Sequence, residues 1–129
     1  MIISERIRLI EALFSETLKF IERGDPIESS EKLYKAAEEC IKSLAEKLSL
    51  EEAKAAEERG RWTVTLLEKA VGELTDKFGI DIENGWDAAN HLHVWGFHEI
   101  KLDLEDVKRR IPKIRRLIEI TTKILESRQ

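Results

Sequence analysis

The sequence predicts an all-α, up-and-down bundle of five or six helices, folded as a single domain over residues 1–129. Three observations point there. Apolar residues recur at spacings of three and four along nearly the whole chain, as the buried face of a helix requires. Only two Pro and six Gly interrupt 129 residues, so turns are few and helices long. No stretch alternates apolar and polar residues as a half-buried strand does. A chain of 15.0 kDa buries about two-thirds of its unfolded surface, enough for a core without staples. An apolar fraction of 42% excludes a disordered chain, which has too little to bury.

The first helix is expected from about Ile3 to Arg23, with Ile7, Ile10, Phe14, Leu18 and Ile21 on one face. Gly24 ends it, because glycine enters the left-handed region without penalty. Asp25-Pro26-Ile27-Glu28 starts the second, with Asp25 as cap, Pro26 in the first turn and Glu28 as the capping-box acid. Its stripe of Leu33, Ala37, Cys40, Ile41, Leu44 and Leu48 runs to about Leu48, and Ala36, Ala37 and Ala45 permit close approach of a neighbour. Ser49-Leu50-Glu51-Glu52 reads as another capping box, opening a short helix that stops at Gly60. The fourth helix begins near Trp62 and buries Leu66, Leu67, Ala70, Val71, Leu74 and Phe78. Gly79 ends it, Ile80 makes the apolar contact after the cap, and residues 81–84 form a loop. A Trp- and His-rich helix follows from about Gly85. Asp103-Leu104-Glu105-Asp106 caps a last helix to about Ser127, buried through Val107, Ile111, Ile114, Leu117, Ile118, Ile124 and Leu125. Pro112 within it bends it or delays its start.

Chemistry concentrates in residues 86–99. All three histidines and two of the three tryptophans lie there. On a regular α-helix, Ala88, His91, Leu92, Trp95, His98 and Glu99 gather on one side, and Trp86, Asn90, His93, Val94 and Phe97 on the other. Two bulky faces predict a helix wedged between neighbours, one of which can be a second copy of the chain. Gly96 weakens such a helix by roughly 1 kcal/mol relative to Ala, so a close helix crossing is expected at it. His91 and His93 point about 200° apart, and His91 and His98 stand about 10 Å apart along the axis. Neither pair chelates an ion as His at i and i+4 does, and no Glu-x-x-His is present. No metal and no cofactor is therefore expected. Candidates for acid–base work are His91, His93, His98 and Glu99, although His98 and Glu99, adjacent on a helix, do not face each other. Packed core or interface histidines are the commoner outcome. Trp86, Trp95 and Phe97 are the candidate interface residues.

The run Leu92-His93-Val94-Trp95-Gly96-Phe97-His98-Glu99, ahead of a capped helix with an internal Ile-Pro, resembles the central signature of the archaeal PaREP family. Residues Ser30-Glu31-Lys32-Leu33-Tyr34-Lys35-Ala36-Ala37-Glu38-Glu39 are similar to the second-helix pattern of that family and of the wider HEPN superfamily. The likeness covers Asp25 to about Leu125. It implies a compact HEPN-like up-and-down bundle, often dimeric. Some members of that superfamily are metal-independent RNases, and others partner a small nucleotidyltransferase. The RNases use an Arg followed after four to six residues by His. Here the corresponding positions are Asn84, Gly85 and Trp86 before His91, then Trp86, Asp87 and Ala88 before His93, then His91, Leu92 and His93 before His98. None is Arg, so RNase activity does not carry over at its key position. Arg59 and Arg61 substitute only if tertiary contact brings them close.

Charge is uneven. Residues 100–129 carry nine Lys and Arg against five Asp and Glu, leaving the first 99 residues at a net −8 within a total of −4. Lys108, Arg109, Arg110, Lys113, Arg115 and Arg116 crowd the last helix. Lys108, Arg109, Lys113 and Arg116 are candidates for RNA contact, against the commoner reading of a solvated face. Cys40 sits in an apolar stripe with Glu38 and Glu39 nearby, so nothing activates it. Tyr34 reads as a core residue with a wet hydroxyl. One cysteine excludes an intramolecular disulfide. No apolar leader and no spanning segment is visible, so a cytoplasmic protein with no membrane partner is expected. Phosphate-binding loops and hydrolase elbows are absent. The reading is a non-catalytic interaction or adaptor domain that self-associates as a homodimer. The alternatives are an RNA-handling enzyme using the histidines, a partner of a nucleotidyltransferase, and an RNA-binding module.

Overall fold

A computed structural model describes residues 2–127; Met1, Arg128 and Gln129, which the expected domain includes, lie outside the described residues. The chain is all-α, as the periodicity predicts. Helices α1 (Ile3–Glu22), α2 (Pro26–Lys47), α3 (Glu51–Arg59), α4 (Val64–Phe78) and α5 (Ile80–His91) come first. A π-helix (Leu92–His98) continues α5 directly, and α6 (Leu104–Lys108) and α7 (Ile111–Glu126) complete the fold. No strand occurs among the described residues. No described helix is long and apolar enough to cross a membrane.

Helix α2 is the central post and touches every other helix. Its sequence explains why. Ala36, Ala37, Cys40 and Ala45 are fully buried, so its surface is thin and neighbours come close. Two of its three buried serines are satisfied within its own first turns, Ser29 donating to the Asp25 carbonyl at 2.7 Å and Ser30 to the Pro26 carbonyl at 2.6 Å. Thr17 on α1 and Thr121 on α7 do the same to Leu13 and Leu117. These four hydroxyls leave no unmet bond to penalise the packing, whereas the buried Ser43 hydroxyl of α2 has no hydrogen-bond partner among the described residues. Arg6 of α1 reaches across α2 to pair with Glu39 at 2.8 Å and with Glu46.

Helix ends follow the turn chemistry with instructive departures. Asp25 caps α2, accepting from Ile27 and Glu28 at 3.1 and 3.0 Å, but Glu28 returns no bond among the described residues. Asp103 and Asp106 form the full reciprocal box, each bond 3.0 Å. The capping box expected at Ser49 does not form. Ser49 is instead the left-handed residue after α2, with φ 53°. Its amide donates to Glu46, and the Leu50 amide donates to Ala45 at 3.0 Å. That is the bonding of a Schellman motif, and it draws Leu50 into the core.

Four other expectations are corrected. The face of α1 centres on Ile10, Leu13 and Thr17, with the expected Ile7, Phe14 and Ile21 packed partly buried beside them; Leu18 is 40% exposed, its place taken by Thr17, which meets its hydrogen-bond need within α1. Residues 81–84 are helical, since Gly79 at φ 102° reverses direction in one residue. Ile82 is then buried and Ile80 is left exposed, without the expected cap contact. Pro112 does not sit inside a long last helix. It occupies the first turn of α7, where its missing amide costs nothing, and Arg109 and Arg110 form the break after α6. The fourth correction is the π-helix itself.

Gly85 and Gly96 set the seat of the α5–π rod. A Cβ on Gly85 would lie 2.6 Å from the Leu117 Cβ and 3.0 Å from the Lys113 carbonyl of α7. A Cβ on Gly96 would lie 2.3 Å from Ser30 Oγ of α2. The close crossing expected at Gly96 is therefore present, and Gly85 supplies a second. Gly72 and Gly85 should respond oppositely to an added methyl group. Gly72 is mid-helix on α4, and a Cβ there would meet nothing within 4 Å. Gly72→Ala should therefore gain about 0.5–1 kcal/mol from helix propensity. Gly85→Ala should lose about 1–3 kcal/mol through overpacking. Urea denaturation of both variants reads the two signs; equal stabilisation would remove the packing argument.

Candidate functional site

The Trp/His segment leaves α-helical geometry at Leu92 and winds as a π-helix for seven residues. Most π-helices are single-turn bulges, and they frequently mark functional sites. The Glu99 amide donates to the Val94 carbonyl at 2.9 Å, an i to i−5 bond. The consequence is local and geometric. Residues five apart point about 140° away from each other on an α-helix, but here they meet. His93 and His98 bring their Nε2 atoms to 3.2 Å. The two-sided arrangement expected for a regular helix is thus wrong for this end of the rod, because the wider turn moves His98 to the side of His93 and Phe97.

Helix α2 supplies the other half of the site. Glu31, Tyr34 and Glu38, three and four residues apart, share one face. The Glu31 carboxylate accepts from His93 Nδ1 at 2.8 Å. The Tyr34 ring stacks on the His93 ring, centroids 3.9 Å apart and planes 17° from parallel. Phe97 lies beyond, parallel to His93 within 9°. Trp86 of α5 packs against Tyr34 at 5.7 Å, and its indole N–H donates to Glu68 of α4. With 1% exposure, Trp86 is core and has no surface left for a partner; its indole bridges α5 to α2 and α4. Trp95, in contrast, is 45% exposed, and Phe97 is half-buried.

Carboxylates surround this face. Burial pushes the Tyr34 phenol up to about 12, aided by Glu38, Glu31 and Glu68. Burial also raises the Asp87 carboxyl, with Glu83 and Glu68 adding to the effect. The residues missed by sequence reasoning are Glu31 and Glu68. The only signal was a carboxylate three residues before Tyr34 on a helix face, and it says nothing without the π-turn that delivers His93.

His91 stands apart, at the end of α5. Partial burial lowers its pKa, and the positive charges of Arg110 and Arg109 lower it further. Arg110 and Arg109, rather than Arg59 or Arg61, are thus the arginines whose charge reaches this histidine. Arg109 is bound to Asp106 at 3.3 Å and Arg110 to the Asp106 carbonyl at 2.9 Å. The other basic candidates are dispersed. Lys108 pairs with Glu105 at 3.4 Å and Arg116 with Asp81 at 3.3 Å, while Lys113 is exposed one turn before Arg116. Glu99 is exposed, and its carboxylate makes no hydrogen bond among the described residues. The Cys40 thiol is pushed up to about 12 by burial, which leaves it inert at neutral pH. No histidine lines the surface clefts beside α3, α4 and α7.

Tyr34 is the sole tyrosine, so phenolate absorbance during an alkaline titration reads it alone. The midpoint should lie near 12 rather than at 10.0. Between those values the unfolded chain loses the proton first. Stability from this group is therefore complete below pH 10 and falls as pH rises toward 12. A midpoint at the ordinary value would show the ring to be in open solvent.

The model of the archaeal PaREP1/PaREP8 family matches residues 5–118. A crystal structure of a Sulfolobus solfataricus protein is 35% identical, with a TM-score of 0.84, and the alignment covers 92% of this chain and 97% of that one. A solution structure of the same structural-genomics target is 34% identical, with a TM-score of 0.79 and 94% of each chain covered. No curated protein matches. The signature residues that form the π-helix and its α2 partner lie inside the matched region, and the chain belongs to the archaeal PaREP1/PaREP8 family.

Proposed function

We propose that this chain is a non-catalytic interaction domain that pairs with a second copy of itself through the carboxyl end of the α5–π rod. The exposure of Trp95 carries the reading. A tryptophan normally buries most of its surface, and tryptophans dominate binding hot spots. Val94 and Ile100, the latter 60% exposed, lie on either side of it in sequence. Backbone strain at the same place adds support. Ile100 is held at φ 54°, a region that costs a β-branched residue about 1–2 kcal/mol. Strain of this kind tends to be retained at binding and switch sites. The HEPN-like resemblance, with its frequent dimers, supports a twofold contact in which the same patch serves both copies. A nucleotidyltransferase-type protein is the alternative occupant of this surface.

A second reading, RNA handling, is favoured by the positive charge that Arg110 and Arg109 bring to bear on His91. Guanidinium groups of this kind fit phosphate. On this reading, RNA affinity should fall steeply with salt and drop with Arg109→Glu. Binding that is absent at low salt, or indifferent to that change, removes it. Cleavage without added metal that His91→Ala abolishes would displace the non-catalytic reading.

Light scattering on the purified chain should give twice the 15.0 kDa of one copy. Trp95→Asp should return a folded monomer. A monomeric wild type at high concentration would overturn self-pairing. Ile100→Gly separates strain from folding: it should stabilise the chain by about 1 kcal/mol through relief of the left-handed backbone, yet weaken pairing. Loss of stability together with unchanged pairing would contradict both parts of the argument.

A further inference from the structure

We infer that His93 and His98 form a chelating pair for a divalent transition-metal ion of the Zn2+ or Ni2+ type. The geometry of the two imidazoles carries this, independently of self-pairing. Their Nε2 atoms are 3.2 Å apart. Zinc–nitrogen bonds of about 2.0–2.1 Å in tetrahedral arrangement place two ligand nitrogens roughly 3.3–3.4 Å apart. The two nitrogens already stand at the spacing a bound ion imposes; to ligate, His98 moves its proton to Nδ1 and turns its Nε2 lone pair to the ion.

The surroundings prepare His93 for that role. Its Nδ1–H is donated to Glu31 at 2.8 Å, which leaves the lone pair on Nε2, facing His98. A carboxylate behind a ligating histidine fixes the tautomer and raises the basicity of the ring. The Tyr34 ring, stacked at 3.9 Å, holds the imidazole plane. His98 is exposed, so the ion has an entry path and water reaches its remaining positions. Among the described residues no third His, Cys, Asp or Glu joins the pair. The site is thus open rather than closed, unlike a four-ligand structural zinc site. Nitrogen donors select this class of ion over Mg2+ and Ca2+, which take oxygen. The exclusion of chelation drawn from a regular helix does not apply, because it concerns His91 with His93 and with His98. The π-turn creates a different pair.

The test is calorimetric titration of the full chain with ZnCl2 and NiCl2 in a metal-free, non-coordinating buffer. One ion per chain is expected, and no heat with MgCl2. His98→Ala, at an exposed position, should fold and abolish binding, and His93→Ala should do likewise. Glu31→Gln should weaken binding about 10–100-fold while leaving both ligands in place. His91→Ala should bind as the wild type does. Absence of Zn2+ and Ni2+ binding by the wild type, or binding that survives His98→Ala, overturns the assignment. Should His93→Ala fail to fold, His98→Ala and Glu31→Gln still decide it.

Discussion

The contact between Gly96 and Ser30 governs the geometry of this protein. Only a missing side chain lets the π-helix backbone come so near that a Cβ would lie 2.3 Å from the serine oxygen. Ser30 can accept that proximity because its hydroxyl turns back to the Pro26 carbonyl and asks nothing of the neighbour. Three residues before Gly96, His93 then comes down on Tyr34 and Glu31. Were the rod further out, the stack and the carboxylate bond would both be lost. Gly85 secures the other end of the rod against α7 in the same way. Helix α2 is accordingly more than a packing post: its first turns set the height at which the Trp/His segment sits.

The widened turn is the second constraint, and it follows from the first. A regular helix through residues 92–98 would send His98 away from His93 and carry its polar ring to a different side. The π-turn keeps Gly96 on Ser30 while presenting both imidazoles to one side. It ends at Ile100, whose left-handed backbone closes the segment by letting the Lys101 amide reach the Trp95 carbonyl at 2.8 Å. Glycine would accept that conformation at lower cost. The isoleucine there is a local conflict between backbone preference and side chain, and such conflicts in otherwise consistent sequences concentrate where something besides folding is selected.

Much of this was legible from residues alone. The caps at Asp25 and Asp103, the stops at Gly24 and Gly60, the alanine face of α2 and the close crossing at Gly96 all follow from local stereochemistry. Each depends on residues within a turn or two of one another. What was not legible depends on tertiary competition. Residues 81–84 carry loop-like Asp and Asn, but burying Ile82 outweighs their weak propensity. Leu18 looks like core and yields its place to Thr17, since a threonine bonded to its own helix can be buried cheaply. The π-turn has no periodic signature in so short a stretch, so the pairing of His93 with His98 was invisible even though both residues stand out by composition. Trp86 and Trp95 read alike in sequence, and only the packing separates a core indole from a surface one.

The two flanks of the rod differ in charge, and that difference separates the chemistries open to it. His91 lies toward α6, where Arg109 and Arg110 disfavour a further proton on its ring. His93 lies toward α2, with Glu31 on its Nδ1 and with Glu38 and Glu68 around the Tyr34 beneath it. The first flank is the more positive, with Asp106 offsetting part of the arginines' charge, and the second the more negative, because each unit charge keeps its influence over several ångströms in a partly buried setting. The break in helical winding falls at Leu92, between them, so neither histidine can serve the other's flank. One short segment therefore carries an imidazole under the positive charge of Arg110 and Arg109 and a carboxylate-backed imidazole pair, next to an exposed indole. The order of residues along the rod, rather than any cavity, is what keeps these three surfaces distinct.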